Sequence, residues 1–204
     1  MKSLVRRLAE NVLPPFVFKT LQNLIDSASY TGDFPTFREA LLTCGSGGMT
    51  KDYKYVERAF ESLENYKASP VFNQNHLGLL AAFLVPLFQR TEKDRFRVLD
   101  YGGGPGISYL AMKSRLPSPV MLEWDIFDTE IMASEGRKAF QLDQITYFTD
   151  WKDITPQQYD VIVISICLQF LEHPYDVLDQ LTKLNCRYLI VHSMPVITGG
   201  SDHI

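Results

Sequence analysis

A glycine-rich loop behind an acidic residue is the part of this sequence best suited to chemistry. Four glycines follow an aspartate and a tyrosine closely, in the run Asp100-Tyr101-Gly102-Gly103-Gly104-Pro105-Gly106. Glycine takes positive φ at little cost in a tight turn, and its missing side chain lets a ligand touch the backbone. The amide groups that open a following helix favour a carboxylate or a phosphate. The loop therefore predicts a site for a nucleotide-like ligand.

The spacing of the glycines disfavours the two commonest phosphate-binding loops. A dinucleotide fingerprint needs a third glycine three positions after the second, where this chain has Ile107 or Tyr109, depending on the starting glycine. The GxxxxGK[ST] run of a P-loop is absent from the sequence. Asp100 would repel a pyrophosphate, whereas a carboxylate suits an amine or a ribose hydroxyl. A nicotinamide-dependent oxidoreductase is therefore the weaker alternative.

Strand and helix patterns alternate from residue 96 onward. Strands are predicted at 97–101, 120–127, 144–148, 159–165 and 187–192, with helices at 107–115, 130–140 and 174–184. The nearly continuous apolar run Tyr159–Ser165 is typical of a strand buried on both faces. This alternation predicts an α/β fold with a Rossmann-like, doubly wound and mainly parallel sheet. Ligands of such sheets bind outside the carboxyl ends of the strands, where the glycine loop falls.

The sequence patterns predict a helical accessory region at residues 1–95 and the sheet domain at residues 96–204. Helix patterns cover 53–66 and 73–89, and the second is so apolar that we expect burial on most sides. In the N-terminal segment Leu4, Leu8 and Val12 stand at helical spacing among basic residues. This segment allows weak contact with a membrane surface, although a helix docked on the domain is favoured.

Composition excludes several classes of protein. The chain has 204 residues, of which 46% are hydrophobic and 22% charged, which is typical of a folded domain and not of a coiled coil or a disordered tail. A formal charge of -4 gives no bulk attraction to nucleic acid. Cys44, Cys167 and Cys186 lie far apart and form neither a disulfide framework nor a metal site, which fits the cytoplasm. No apolar run has the length of a membrane span.

The run from Val98 to Gly106 resembles motif I of class I S-adenosylmethionine-dependent methyltransferases, V-L-D-x-G-x-G-x-G. The resemblance implies that S-adenosylmethionine is the cofactor and that the loop holds it, through Asp100, Tyr101, Gly102, Gly103, Gly104 and Gly106. The family's second strand ends in an acid that accepts the ribose hydroxyls. Asp128 fits this role better than Asp125, because 124–127 still has a strand pattern; an N-cap for the next helix is its competing role.

The resemblance extends past the third strand. The family commonly has an acidic or polar residue there, facing the adenine amino group, and Asp150 takes that position. Trp151 either stacks on the adenine or packs in the core, and packing is favoured. No general base is evident: His192, His173 and Gln169 follow strands on the ligand side, where such residues are more often satisfied by the backbone. We therefore assign no catalytic residue.

Within the superfamily, residues 30–198 are similar to a smaller group of bacterial methyltransferases. The shared pattern includes Gly32–Phe37, Leu99–Gly103 and Ser165–Leu171. Members of the group are associated with cell-surface polysaccharide synthesis. The resemblance therefore implies methyl transfer to a small-molecule or sugar-linked acceptor.

The chain departs from the family after the fifth strand. The family's sheet has seven strands, but only twelve residues follow residue 192 here. We expect the last two strands to be missing and the strand at 187–192 to be an exposed edge, unless a partner, such as a second copy in a homodimer, or the N-terminal helices cover it. This departure leaves open the alternative that the chain is catalytically inactive and only binds S-adenosylmethionine or a partner.

Overall fold

The computed structural model describes residues 34–43, 53–70, 75–91, 93–116, 120–141 and 144–194. Three helices come first: α1 (Phe37–Thr43), α2 (Tyr53–Ala68) and α3 (Asn75–Gln89). Strands and helices then alternate as β1 (Arg95–Tyr101), α4 (Ile107–Lys113), β2 (Met121–Phe127), α5 (Glu130–Ala139), β3 (Ile145–Phe148), α6 (Trp151–Ile154), β4 (Gln158–Ser165), α7 (Pro174–Thr182) and β5 (Asn185–His192). A short 3-10 helix, Leu168–Phe170, lies between β4 and α7.

The strands form one parallel sheet in the order β3-β2-β1-β4-β5. The predicted fold class is therefore confirmed, and the predicted strand ends agree with the observed ones to within two residues. The chain places β2 on one side of β1 and β4 on the other, so the strand order reverses at β1. Ligands of open α/β sheets bind at such a reversal.

Two apolar layers cover the two faces of the sheet. On one face, α2, α3, α4 and α5 pack against side chains such as Val98, Trp124 and Val161. On the other face, α6 and α7 pack against side chains such as Leu99 and Ile162. Because both faces are covered, the strands are apolar along most of their length, as the sequence pattern predicts.

Helix α3 is less buried than its composition predicts. Leu80 and Leu84 are buried in the core, but Leu79 is 52% exposed and Phe83 is 60% exposed. The expectation that α3 is buried on most sides is therefore wrong. A mean hydropathy does not show which side of a helix has a neighbour, and among the described residues the outer side of α3 is open.

Strand β5 stands at the end of the sheet. It pairs with β4, and the described part of the chain places no strand on its other side. Tyr188 and Val191 on this strand are partly exposed. The predictions about the N-terminal segment at 1–33 and about the chain after residue 194 lie outside the described residues. No described helix is both long and apolar enough to cross a bilayer.

Candidate functional site

The glycine loop turns sharply between β1 and α4. Gly102, Gly104 and Gly106 have φ values of 72°, 58° and 81°, which favour glycine. A Cβ at Gly102 would lie 2.4 Å from the Sγ of Cys167, so no side chain fits there. A Cβ at Gly104 would meet nothing within 4 Å. The loop is thus closed on the Gly102 side and open at Gly104, where a ligand has room to approach the backbone.

Asp100 lies buried beneath this loop. Its Oδ2 accepts a hydrogen bond from the indole Nε1 of Trp124 at 3.1 Å, and a Cβ at Gly103 would stand 2.7 Å from its Cγ. Burial raises the pKa of Asp100 to about 7, the Trp124 bond opposes the rise, and the charge of Asp128 adds to it. The described contacts make Asp100 a support of the loop, and its contact with a ligand stays a prediction.

Asp128 joins the end of β2 to the glycine loop. Its Oδ2 accepts a hydrogen bond from the amide of Gly104 at 2.9 Å, and its Oδ1 accepts one from the amide of Thr129 at 2.7 Å. Burial raises the pKa of Asp128, while these two bonds lower it. A carboxylate has about four lone-pair sites, so this one keeps capacity for ligand hydroxyls. The competing prediction, that Asp128 is the N-cap of α5, is wrong. Thr129 is the N-cap, and its side chain accepts a hydrogen bond from the amide of Met132.

Asp125, the alternative ribose acid, has a different position and different partners. Its Oδ2 lies 2.8 Å from Nη2 of Arg97 and also accepts from Nε of that residue at 2.9 Å. The carboxylate is buried, and burial raises its pKa against the effect of Arg97. Asp125 therefore serves an ion pair within the sheet, whereas Asp128 stands at the loop.

The acid after β3 is more exposed than Asp100, Asp125 and Asp128. Asp150 is the N-cap of α6 and accepts a hydrogen bond from the amide of Lys152 at 2.9 Å. The Trp151 ring packs 5.3 Å from the Phe127 ring and 5.9 Å from the Tyr101 ring, measured between centroids. Tyr101 is buried, so its contact with a ligand stays a prediction. The adenine contacts of Asp150 and Trp151 also stay predictions.

The turn after β4 contains features that the sequence did not indicate. Ile166 has a φ of 52°, rare for a β-branched residue, and its amide donates to the carbonyl oxygen of His192 at 3.4 Å. Cys167 follows it and lies against Gly102. Burial, and then the charges of Asp128 and Asp100, raise the pKa of the Cys167 thiol to about 12. No sequence signal marks these features, since a left-handed isoleucine is not a local preference and the Cys167 contact joins two distant loops.

The three candidate bases differ in their surroundings, and among the described residues Oε1 of Gln169 is buried without a hydrogen-bond partner. His192 is buried at the end of β5, with its Nδ1 3.0 Å from the Oγ of Ser193. His173 is exposed at the start of α7 and makes no capping bond with its side chain. Over the described ranges, no three His, Cys, Asp or Glu side chains form a group that could hold a metal. The geometry selects no general base.

The comparison with solved structures settles the fold. The plantazolicin methyltransferase BpumL in complex with SAH aligns with a TM-score of 0.50 at 19% identity, over 76% of this chain and 60% of that one. The chain has the class I methyltransferase fold. No protein-family model matches the sequence, and no curated protein does.

Two further solved structures align with this chain at lower similarity. The CurJ carbon methyltransferase gives a TM-score of 0.47 at 19% identity, over 56% of this chain and 34% of that one. The YcgJ protein from Bacillus subtilis gives a TM-score of 0.42 at 19% identity, over 58% of this chain and 51% of that one. The chain thus spans between 34% and 60% of the length of the three solved chains. At such identities the likeness establishes the fold alone.

Proposed function

We propose that the chain binds S-adenosylmethionine over the glycine loop and transfers its methyl group to a small-molecule or sugar-linked acceptor. The observation that carries the proposal is the 2.9 Å bond between the Gly104 amide and Oδ2 of Asp128. This bond puts an acid with spare acceptor capacity beside the one loop glycine whose outer side is open. A ribose needs a carboxylate at such a place, and the loop backbone can approach the rest of the ligand.

The cofactor supplies an electrophilic methyl group on a sulfonium, so the protein need not activate the donor. Its residues must hold the donor and align the acceptor, and positioning of this kind can supply several kcal/mol of the barrier. In this proposal Asp128 orients the ribose, Gly104 leaves room for the ligand, and Asp150 faces the adenine. Asp100 keeps the loop in shape from below.

A second candidate function is binding of the cofactor without turnover. The observation that favours it is the environment of Cys167, a titratable side chain that touches the loop at Gly102. With a pKa of about 12, its thiol stays protonated at neutral pH and cannot take a proton from an acceptor. An acceptor whose nucleophile carries no proton to remove is compatible with methyl transfer in these surroundings.

Calorimetry tests the cofactor. S-adenosylmethionine and S-adenosylhomocysteine should both bind to the whole chain, and the nicotinamide dinucleotides should not. In a thermal-shift assay, a ligand at 100 times its Kd adds about 2.7 kcal/mol of stability. If a nicotinamide dinucleotide bound and the sulfur cofactors did not, the oxidoreductase alternative would replace the proposal. Formation of S-adenosylhomocysteine with a panel of small molecules and glycosides then separates the enzyme from the inactive binder.

The edge strand carries a proposal about assembly. We propose that β5 pairs with the same strand of a second copy, because its outer edge has no partner among the described residues and Tyr188 and Val191 are partly exposed. Light scattering at micromolar concentration should then give the mass of a dimer. A monomer at every concentration would contradict this pairing. We also place the protein in the cytoplasm, in line with the free thiols of Cys167 and Cys186, and cell fractionation tests that placement.

A further inference from the structure

Helices α2 and α5 lie side by side on one face of the sheet. Near the end of α2, Nζ of Lys67 is 5.2 Å from the ring centroid of Phe140, which is the C-cap residue of α5. Further back, α2 and Glu135 of α5 line one groove. The two helices therefore stay close over several turns.

The same number of residues separates this contact from Tyr55 on α2 and from Asp128, which precedes α5. Tyr55 precedes Lys67 by twelve residues, and Asp128 precedes Phe140 by twelve. At a rise of about 1.5 Å per helical residue, Tyr55 lies about 18 Å back along α2 and Glu130 lies about 15 Å back along α5, with Asp128 and Thr129 just before that helix begins. Because the groove behind the Lys67–Phe140 contact joins earlier residues of α2 to Glu135, an earlier residue of α5, the two helices run in the same general direction, and the first turn of α2 lies toward the end of β2. That end of β2 is at the carboxyl edge of the sheet, where the glycine loop lies.

The electrostatic surroundings of Tyr55 agree with this placement. Burial raises the pKa of its hydroxyl, and the charges of Asp128 and Cys167 raise it further. Asp128 follows β2 and Cys167 follows β4, and β1 lies between those strands. Both groups stand at the carboxyl edge of the sheet on either side of β1, so Tyr55 lies on the side of the sheet edge that carries the glycine loop. The Tyr55 side chain is 41% exposed there, so part of its surface is open to a ligand.

We propose that Tyr55 is a cofactor-contacting residue, supplied to the methyltransferase site by the helical N-terminal region. The inference rests on the proposed function and adds a residue that motif I does not contain. The ring would cover the donor between the ribose acid Asp128 and the turn at Cys167, and the protonated hydroxyl would donate a hydrogen bond to it. A tyrosine suits this position because it joins a large apolar surface to a polar tip.

Tyr53 provides a matched control on the same turn of α2. Two residues along a helix are about 200° apart around its axis, so the two tyrosines point to different sides. Tyr53 is 70% exposed and lines the groove with Glu57 and Glu135. Each variant removes one tyrosine ring from the same turn of α2, and the Tyr55 ring is the more buried of the two.

The experiment compares Tyr55→Ala with Tyr53→Ala by calorimetry with S-adenosylhomocysteine. Tyr55→Ala should bind about tenfold more weakly than the unchanged chain, a factor that corresponds to about 1.4 kcal/mol. Tyr53→Ala should bind within about twofold. Thermal unfolding without ligand should give the lower midpoint for Tyr55→Ala, because Tyr55 is 41% exposed and Tyr53 is 70% exposed, and the affinities are compared at a temperature where both variants are folded. Equal affinity in Tyr55→Ala and Tyr53→Ala overturns the proposal.

Two more measurements keep the outcomes distinct. Tyr55→Phe keeps the ring and removes the hydroxyl, so we expect an affinity between those of Tyr55→Ala and the unchanged chain. If Tyr55→Ala fails to fold, the same comparison is made with Tyr55→Leu and Tyr53→Leu, and unchanged affinity in the former refutes the role of the ring. If the unchanged chain itself binds no S-adenosylhomocysteine, the proposed function fails, and the result is separate from any effect of Tyr55.

Discussion

The two halves of the sheet's carboxyl edge are built differently. At the ends of β1 and β2, polar groups bond to one another: Asp100 to Trp124, and Asp128 to the Gly104 amide. At the ends of β4 and β5, the backbone is left-handed at Ile166 and Ser193. The first half is held by satisfied hydrogen bonds, and the second contains backbone strain.

This difference separates the tasks of the two halves. A donor site common to many enzymes can be formed before the ligand arrives, because its hydrogen bonds are already made within the protein. Strained and exposed backbone persists only where the surroundings hold it, and it is commonly found at functional sites. Under the proposed function, the donor belongs to the β1–β2 half, and the strained turns stand on the side of β4 and β5.

The pH dependence of stability tests the buried carboxylate of the first half. Burial raises the pKa of Asp100 from 3.8 to about 7, so the native state binds a proton that the unfolded chain has released between these pH values. The free energy of unfolding should therefore fall as the pH rises from about 4 to about 7, by up to about 4 kcal/mol at about 1.4 kcal/mol per pKa unit.

Urea unfolding over this pH range measures the effect. The Asp128 carboxylate contributes with the same sign, because its pKa is raised too. In Asp100→Asn the unfolding free energy should change less with pH, because only the other titrating groups still contribute to the change. A slope equal to that of the unchanged chain would show that Asp100 does not titrate in this window.

Alanine at two loop glycines tests the junction between the halves. Gly102→Ala combines positive φ with a Cβ 2.4 Å from the Sγ of Cys167, and should cost about 3 kcal/mol of unfolding free energy. Gly104→Ala shares the positive φ but meets nothing within 4 Å, so it should cost about 1 kcal/mol. Denaturant unfolding compares the two. Equal costs would mean that the contact with Cys167 does not constrain the loop.

Removing the second acid tests the donor site directly. Asp128→Ala should weaken S-adenosylhomocysteine binding about tenfold to a hundredfold, the range expected when charged hydrogen bonds to a ligand are lost. Asp153→Ala on α6 removes an exposed acid that makes no contact with the loop, and it should bind as the unchanged chain does. Calorimetry gives both constants. If Asp128→Ala binds as tightly as Asp153→Ala, the ribose has another partner.

The smallest effect concerns the strained turn of the second half. Asparagine tolerates left-handed backbone better than isoleucine, and the Ile166 side chain is partly exposed. Ile166→Asn should therefore raise the unfolding free energy by about 1 kcal/mol or less. Met121→Asn, at an exposed position of a regular strand, should lower it. Loss of stability in Ile166→Asn would show that the side chain contributes more packing than its strain costs.

The sequence predicted the parts of the structure that depend on local patterns. Continuous apolar runs located the strands, and the end of the second run separated Asp128 from Asp125. The sequence did not predict contacts between distant segments. The Cys167–Gly102 contact joins two loops, and the position of Tyr55 depends on how α2 packs on α5. The exposed side of α3 was mispredicted for the same reason, because burial depends on which neighbours arrive.

The contact between Cys167 and Gly102 has a mechanical consequence. The two halves of the edge meet where a sulfur atom fills the space that a side chain would need. The turn after β4 therefore cannot shift toward β1 unless the glycine loop shifts with it. Under the proposed function, a donor that fixes the loop would thereby also hold the turn after β4 in place.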